Sequence, residues 1–292
     1  MTGRATAVPH CQGTPGHVRT RDGRTLFLQR TPGPPGMPTV VLEAGMGATR
    51  SSWAAVQRAI AGRAPVVVYD RSGLGRSAPD PGPRILHRLA MDLNDVLDRI
   101  GADRYLLAGH SWGGPVARVA VAARPERVAG LVLVDPTDEG CELYFTRAFA
   151  VQERITAALL PALARTGLLR WASAPMRRGL PADAAADLRA EWLSPAGVAG
   201  HLAEAASTVT DLRALRADPP DTGAVPVTVI SGTAATGTGR RARAALNTAH
   251  TVRAALGPER RHVLALRSGH LVPVTEPDLV AGEILRLAGR RP

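Results

Sequence analysis

The stretch YLLAGHSWGGPVARVAVAARP, residues 105–125, places one serine at an abrupt junction between two patterns. An apolar run ends at Gly109, Ser111 follows two residues later, and the segment after Gly113 has the composition of a helix. A strand that turns directly into a helix forces the residue at the bend into a strained conformation, in which side chains two positions to either side would collide. The two glycines therefore predict a serine raised above the end of a strand, with the N-terminus of a helix beneath it.

The segments around this junction alternate between apolar runs and amphipathic patterns. Continuous apolar runs end near Gly45, Asp70, Gly109 and Asp135, and they predict parallel strands that are buried on both faces. Helices are predicted between them, most clearly over residues 86–100, where leucine, valine and isoleucine recur with the 3.6-residue helical period. The pattern predicts an α/β fold, with a mostly parallel sheet covered by helices on both faces.

Residues 137–222 interrupt the alternation. They contain no convincing strand, are rich in alanine, leucine and arginine, and are punctuated by prolines, which predicts several short helices. Strands and helices then alternate again to the end of the chain. We therefore predict a core domain made of residues 1–136 and 223–292, with a helical cap of residues 137–222 inserted after the sixth strand.

A nucleophilic role for Ser111 requires a base, because a serine hydroxyl is unreactive until its proton is removed. His270 is the candidate base, since it directly follows the last apolar run and would be carried over the same sheet edge as Ser111. The other histidines precede the sheet or lie within a strand or a helix, as His201 does. His110 is next to the serine but points elsewhere at the bend, and we predict a packing role for it.

A base of this kind needs a carboxylate that orients it, so an acid must lie near His270 in the fold. No Asp or Glu occurs between Asp221 and Glu259, so the loop after the strand that follows the cap cannot supply one. Asp135 ends the apolar run just before the cap, and it is therefore the predicted acid. Asp138 and Glu139 remain alternatives; in that case Asp135 would cap the first cap helix.

Four motifs, taken together, resemble those of the α/β-hydrolase-fold serine enzymes: VVLEAGMG, YDRSGLGRS, GHSWGG and SGHLVPVTEPDLV. The resemblance covers residues from about 20 to 288 and implies a capped hydrolase with a Ser111, Asp135 and His270 triad. It also implies an oxyanion hole formed by the backbone amides of Met46 and Trp112, whose side chains would line the pocket. A shift of one residue would bring Gly45 or Gly47 into the role of Met46.

The resemblance implies hydrolysis of an ester-type carbonyl, in an ester, a lactone or a thioester, through an acyl-enzyme on Ser111. Because this fold hosts many chemistries, a lyase, cyclase or acyltransferase of a biosynthetic pathway is the second hypothesis, and a non-catalytic receptor the third. No metal or organic cofactor is implied, because no ligand cluster or phosphate-binding loop is visible in the sequence. Glu43 is interpreted as a hydrogen-bonding residue at the end of a strand.

The cap is rich in large apolar residues, more than short helices need to pack on one another. This excess predicts a small-molecule substrate with a sizeable apolar portion. The residues are Leu159, Leu160, Leu163, Leu168, Leu169, Trp171, Leu188, Trp192 and Leu193.

The net charge of +11 comes from 36 arginines and no lysine, against 25 acidic residues. The arginines are scattered and only 3% of the residues are aromatic, which argues against nucleic-acid binding. No apolar run approaches the ~20 residues that span a bilayer, and the N-terminus lacks the apolar region of a secretory signal. We expect a cytoplasmic enzyme without nucleic-acid or membrane partners; its oligomeric state is not indicated.

Overall fold

A computed structural model of the chain describes residues 10–172, 174–235, 237 and 239–290. Eight strands in this part of the chain form a single sheet. They are β1 (Thr14–Arg19), β2 (Thr25–Thr31), β3 (Thr39–Glu43), β4 (Val66–Tyr69), β5 (Tyr105–His110), β6 (Val128–Val134), β7 (Val227–Gly232) and β8 (Arg260–Ala265).

The order of the strands across the sheet is β1-β2-β4-β3-β5-β6-β7-β8. β1 and β2 form an antiparallel hairpin, and β2 pairs antiparallel with β4. All the other neighbouring strands run parallel, so the carboxyl ends of β3 to β8 lie at one edge of the sheet. Open α/β sheets bind their ligands at this edge.

Helices cover both faces of the sheet, and each face has its own hydrophobic core. The helices that flank the strands are α1 (Ala54–Ile60), α2 (Leu86–Ile100), α3 (Gly113–Ala123), α10 (Gly239–Ala254), α11 (Val272–Thr275) and α12 (Pro277–Ala288). α2 and α3 pack on one face, whereas α1 and α12 pack together on the other. The predicted fold class, a mostly parallel sheet with helices on both sides, is confirmed.

Between β6 and β7 the described residues form helices and no strand. The helices are α4 (Arg147–Thr166), α5 (Leu168–Ala172), α6 (Ala174–Arg177), α7 (Ala182–Glu191), α8 (Pro195–Ala205) and α9 (Thr208–Ala217). α4 packs on α8, and α7 packs on the short helical turn that precedes α1. None of the helices in the described ranges is long and apolar enough to cross a bilayer.

Candidate active site

Ser111 lies between the end of β5 and the start of α3, with a backbone φ of 53°. The flanking glycines are required by the close approach of the backbone. A Cβ on Gly109 would lie 2.3 Å from the carbonyl oxygen of Gly113, and a Cβ on Gly113 would lie 2.5 Å from that of Glu43. Real side chains do not tolerate such distances, so the sharp turn that raises Ser111 depends on glycine at both positions.

His270 lies on the loop between β8 and α11, where its ring reaches both Ser111 and Asp135. Its Nε2 is 3.0 Å from Ser111 Oγ, and its Nδ1 is 2.7 Å from Asp135 Oδ2. A carboxylate can only accept, so Nδ1 carries the proton and Nε2 is left free to accept one from the serine. The three residues therefore form one chain of hydrogen bonds from a hydroxyl to a buried carboxylate.

Asp135 directly follows β6, and its carboxylate is fully buried. Oδ1 accepts hydrogen bonds from the Gly232 amide at 3.0 Å and from Arg243 Nη1 at 2.5 Å. Burial opposes ionisation, but the hydrogen bond from His270 and the charges of His270 and Arg243 hold the pKa of Asp135 below its ordinary value. Asp135 has a φ of 42°; among the described non-glycine residues only Asp135 and Ser111 have a positive φ. Such strain is concentrated at functional sites.

Asp138 and Glu139, the alternative acids, are engaged elsewhere. Both carboxylates are buried, and Asp138 accepts hydrogen bonds from Nε and Nη2 of Arg253. Glu139 accepts from both terminal nitrogens of Arg118, at 2.7 and 2.8 Å. Burial opposes its ionisation, yet the bond with Arg118 lowers the pKa of Glu139 to about 2. The carboxylate that contacts the His270 ring is that of Asp135.

The backbone amides of Met46 and Trp112, the predicted oxyanion donors, form no hydrogen bond with other described residues. The Gly47 amide, by contrast, donates to Glu204 Oε2 at 2.9 Å and is therefore not free to bind an oxyanion. The Met46 side chain lines the cavity, as expected. The expectation for the Trp112 side chain is wrong: it is fully buried in the core that also contains side chains of α2 and the sheet, and it does not line the cavity.

A buried ionic network holds the loop that carries Met46. Arg71 donates to the carbonyl oxygens of Ala44 at 2.7 Å and Gly45 at 2.6 Å, and it also binds Glu43 and Glu204. Burial opposes ionisation of Glu204, but the charge and hydrogen bonds of Arg71 lower the pKa of its carboxyl. Because Glu204 belongs to α8, the network joins the predicted cap to the loop.

Glu43, on the other side of Arg71, accepts hydrogen bonds from Arg71 and from the Tyr69 hydroxyl. Burial raises the pKa of Glu43 above its ordinary value, although the charge of Arg71 opposes this. The predicted hydrogen-bonding role of this strand-end residue agrees with these contacts.

A cavity of about 240 Å³ opens beside Ser111 and His270, and its wall is mostly apolar. Leu188 and Trp192, from the helical segment between β6 and β7, line it, in agreement with the expectation for these two residues. Leu159, Leu168 and Trp171 are not part of the wall; their side chains are exposed on α4 and α5. The remaining lining residues are Gly45, Met46, Ala48, Ser52, His110, Met176, His201, Leu271, Pro273 and Val274.

Two further histidines lie at the cavity. His110 Nε2 donates to the backbone carbonyl of His270 at 2.8 Å and fixes the loop that carries the base. Burial, with the nearby charge of His270, lowers the pKa of His110 to about 3, so its ring stays neutral. His201 belongs to α8 and brings a polar ring to the apolar wall, with Nδ1 3.4 Å from the Met46 carbonyl oxygen.

Sequence reasoning did not identify Arg243, Glu204, Arg71 or His201 as part of the site. Arg243 and Glu204 lie inside helical patterns, more than 90 residues from the groups they bind. Nothing local distinguishes Arg243 from the other arginines of the chain. The segment YDRSGLGRS, which contains Arg71, is the one part of the sequence that points to any of these residues. Its resemblance to a family motif marks the segment, but it does not assign a role to the arginine.

One group of potential metal ligands lies away from this site, where the N-terminal segment meets α7. Ligand atoms of His10, Cys11 and Asp183 lie within 4.8 Å of one another. The Gln12 amide already donates to His10 Nδ1 at 3.1 Å, and the Cys11 amide donates to Asp183 Oδ2 at 2.6 Å. These hydrogen bonds account for the cluster as a contact between the segment and the helix.

Comparison with known proteins agrees with the fold described above. The family model described as alpha/beta hydrolase fold matches residues 38–191, more than half of the chain. RutD of Azorhizobium caulinodans, which carries the provisional name of a carbamate hydrolase, is 37% identical over 122 residues, 42% of this chain and 46% of RutD. The chain thus spans about half the length of the curated relatives it matches.

Solved structures align over almost the whole chain. A Pseudomonas aeruginosa protein described provisionally as an epoxide hydrolase superposes with a TM-score of 0.72 at 17% identity, covering 95% of this chain and 97% of its own. A thermophilic esterase from Thermogutta terrifontis superposes with a TM-score of 0.68 at 21% identity, covering 95% and 100%. At these identities the likeness concerns the fold alone.

Proposed function

Because the chain belongs to the alpha/beta hydrolase fold family, we propose that it is a serine hydrolase that cleaves an ester-type carbonyl through an acyl-enzyme on Ser111. The observation that carries the proposal is the chain of hydrogen bonds from Ser111 Oγ through His270 to Asp135. A hydroxyl, an imidazole and a buried carboxylate in this order are the groups that acyl transfer requires.

In the first half of the proposed reaction, Ser111 Oγ attacks the substrate carbonyl carbon and His270 Nε2 takes the hydroxyl proton. Asp135 stabilises the imidazolium that forms. The Met46 and Trp112 amides donate to the oxyanion of the tetrahedral intermediate. The bond to the leaving oxygen or sulfur then breaks, His270 returns the proton to that atom, and the acyl group stays on Ser111.

In the second half, water takes the place of the leaving group. His270 removes a proton from the water as its oxygen attacks the acyl carbonyl, and the same two amides bind the second oxyanion. Collapse of this intermediate releases the acid and returns the proton to Ser111. The proton transfers use Ser111, His270 and Asp135, which are already within hydrogen-bonding distance of one another in this order.

The nucleophile favours acyl substrates over epoxides. Attack of Ser111 Oγ on an epoxide would form an alkyl ether, which water does not cleave, whereas an acyl ester on serine is hydrolysed by the same triad. The cavity of about 240 Å³ is smaller than the roughly 300–1,000 Å³ of sites for drug-sized ligands. We therefore infer a compact, apolar acyl group in an ester, a lactone or a thioester.

A carbamate is the second candidate substrate. The provisional name of RutD, the relative with 37% identity over 122 residues, refers to this class. A carbamate carbonyl bears a leaving group on one side and nitrogen on the other, so the same attack by Ser111 applies. Nitrogen donates electrons to the carbonyl and makes it a poorer electrophile than an ester.

The test is a substrate panel of short and medium p-nitrophenyl esters, lactones, thioesters and aryl carbamates. Ser111→Ala should lose activity by about a million-fold, which is typical for loss of a triad nucleophile. Ser231→Ala is the matched control, because Ser231 Oγ also bonds histidines, His250 and His262, each at 2.8 Å, yet lies outside the turn and the cavity. Near-normal turnover by Ser111→Ala would favour a lyase, cyclase or acyltransferase.

A further inference from the structure

The outer surface of the cap carries large apolar side chains that do not contribute to the catalytic cavity. On α4, Val151, Ile155 and Leu159 are each more than half exposed. On α5, Leu168 is more than half exposed and Trp171 is 81% exposed. We refer to these five residues, with the exposed arginines of α4, as the cap face.

Two parallel rows make up the α4 part of the cap face. Val151, Ile155 and Leu159 recur every four residues and follow one side of the helix. Arg147, Arg154 and Arg165 are separated by seven and eleven residues, about two and three turns of an α-helix, so they form a second row. An apolar row therefore runs beside a basic row on the outward side of the same helix.

The basic row is not neutralised by the protein. Within the described residues, Arg147, Arg154 and Arg165 form no ion pair or side-chain hydrogen bond with an acid, and all three are exposed. α4 contains a single acidic residue, Glu153, which is partly buried. An exposed apolar surface with unpaired cations beside it matches the chemistry of an anionic lipid surface, where acyl chains lie beneath phosphate and carboxylate groups.

We propose that the cap face docks the protein peripherally on membranes that contain anionic phospholipid. Trp171 fits such an interface, because its ring combines an apolar body with a polar N–H. The arginines supply the attraction to lipid headgroups, and the apolar row enters the boundary with the acyl chains. This proposal departs from the expectation of no membrane partner, which rested on the lack of a spanning segment.

A second copy of the chain is a poorer occupant of the cap face. Two copies that pair through this face would bring their arginine rows together, with no acid on the outer side of α4 to offset the repulsion. A nucleic acid would satisfy the arginines but would leave the apolar row in water. The anionic membrane satisfies both rows at once.

The docked surface is close in sequence to the catalytic cavity. Met176, on α6, lines the cavity five residues after Trp171. Docking would therefore bring α5, the helix that precedes the one carrying Met176, to the lipid surface. The docking itself does not depend on the proposed hydrolysis, and it is tested without an activity assay.

The experiment is co-sedimentation of the full chain with vesicles of phosphatidylcholine alone or with about 30 mol % phosphatidylserine, at low and high salt. We expect at least tenfold tighter binding to the phosphatidylserine vesicles, weakened by salt. Ile155→Glu/Leu159→Glu should lose binding to both kinds of vesicle. Arg147→Gln/Arg154→Gln should lose about thirtyfold on the anionic vesicles alone, since each arginine near such a surface contributes about fivefold in affinity.

Leu256→Glu/Leu266→Glu is the matched control, because Leu256 and Leu266 are 62% and 70% exposed but lie outside the cap. It should bind vesicles as the wild type does, and circular dichroism melting checks that every variant is folded. Three outcomes would overturn the proposal: no dependence on phosphatidylserine, equal loss in the control and cap variants, or a dimer in light scattering that dissociates in Ile155→Glu/Leu159→Glu.

Discussion

Arg243 Nη1 lies 2.5 Å from Asp135 Oδ1, so the carboxylate that binds His270 is also paired with a cation. Nothing in the proposed reaction requires this arginine to touch the substrate. Its effect is electrostatic, because its positive charge helps to hold the pKa of the buried Asp135 carboxyl below its ordinary value. The groups around Asp135 are His270, Arg243, the Gly232 amide and, at longer range, His250.

Arg243→Gln should shift the pH dependence of kcat/KM. Burial opposes ionisation of Asp135, and the charge of Arg243 is one of the causes that nevertheless hold the pKa of this carboxyl below its ordinary value. With the cation removed, Asp135 takes up a proton at a higher pH, so activity on the acid side is lost at a higher pH than in the wild type. We expect the acid limb to move upward, towards neutral pH. The measurement is the pH profile of kcat/KM on a substrate with a leaving group that does not titrate in this range.

The control for this shift is Arg253, which lies on α10 together with Arg243. Arg253 is paired with Asp138 and Glu139, which are buried, but contacts no member of the triad. Arg253→Gln should lower thermal stability and leave the acid limb where it is. Equal shifts in both variants would mean that the effect is general to the fold rather than specific to Asp135.

Asp135→Asn should abolish most activity while the protein remains folded. The amide cannot hold His270 in the tautomer that leaves Nε2 free, a defect worth about 10⁴-fold in a serine protease. Asp138→Asn is the matched substitution three residues away and should cost far less kcat, because Asp138 faces Arg253. If Asp138→Asn were the more damaging in kcat, the assignment of the acid would have to move.

Glu204→Gln should reduce kcat with little change in KM. Glu204 Oε2 holds the Gly47 amide, and its charge holds Arg71, which in turn binds the Gly45 carbonyl. A displacement of this loop by about 1 Å misplaces the Met46 amide and costs on the order of a hundredfold.

Glu191→Gln is the control for the kcat effect expected of Glu204→Gln. Glu191 is another cap carboxylate in an ion-pair network, with Arg50 and Arg76, and it does not touch the loop. Both substitutions remove one negative charge from the cap. A kcat defect in Glu191→Gln as large as that of Glu204→Gln would contradict a specific link between Glu204 and the oxyanion loop.

Trp192→Ala should change the preference for acyl chain length. Trp192 lines the cavity, and truncation of the indole enlarges a space of about 240 Å³. We expect kcat/KM for medium-chain p-nitrophenyl esters to rise relative to acetate by roughly tenfold, since each buried methylene is worth ~0.8 kcal/mol. Trp171→Ala, on the exposed face of α5, should leave this ratio unchanged. The same ratio in both variants would place the acyl group outside the cavity.

The parts of this site that the sequence predicts are those that depend on local patterns. An apolar strand followed by the Gly109, Ser111 and Gly113 spacing defines the turn by steric exclusion alone. His270 and Asp135 follow apolar strands, and parallel strands bring their ends to one edge. The absence of carboxylates between Asp221 and Glu259 then leaves few choices for the acid.

The rest depends on contacts across the chain. Arg243 and Glu204 have the same local surroundings as many other residues in alanine-rich helices, and only the folded chain brings them to Asp135 and Gly47. The apolar content of the cap was interpreted as substrate contact. Composition alone cannot distinguish a residue that faces the cavity, such as Leu188, from one that faces outward, such as Trp171.

The most direct test of the central claim is mass spectrometry of the enzyme quenched during turnover of a p-nitrophenyl ester. We predict a mass increase equal to one acyl group, which peptide analysis locates on Ser111. In Asp135→Asn a larger fraction of the enzyme should carry this group if deacylation is slowed more than acylation. Ser111→Ala should carry no adduct, whereas Ser231→Ala should carry it as the wild type does. Rapid turnover with no adduct on Ser111, or an adduct on another residue, would contradict the account.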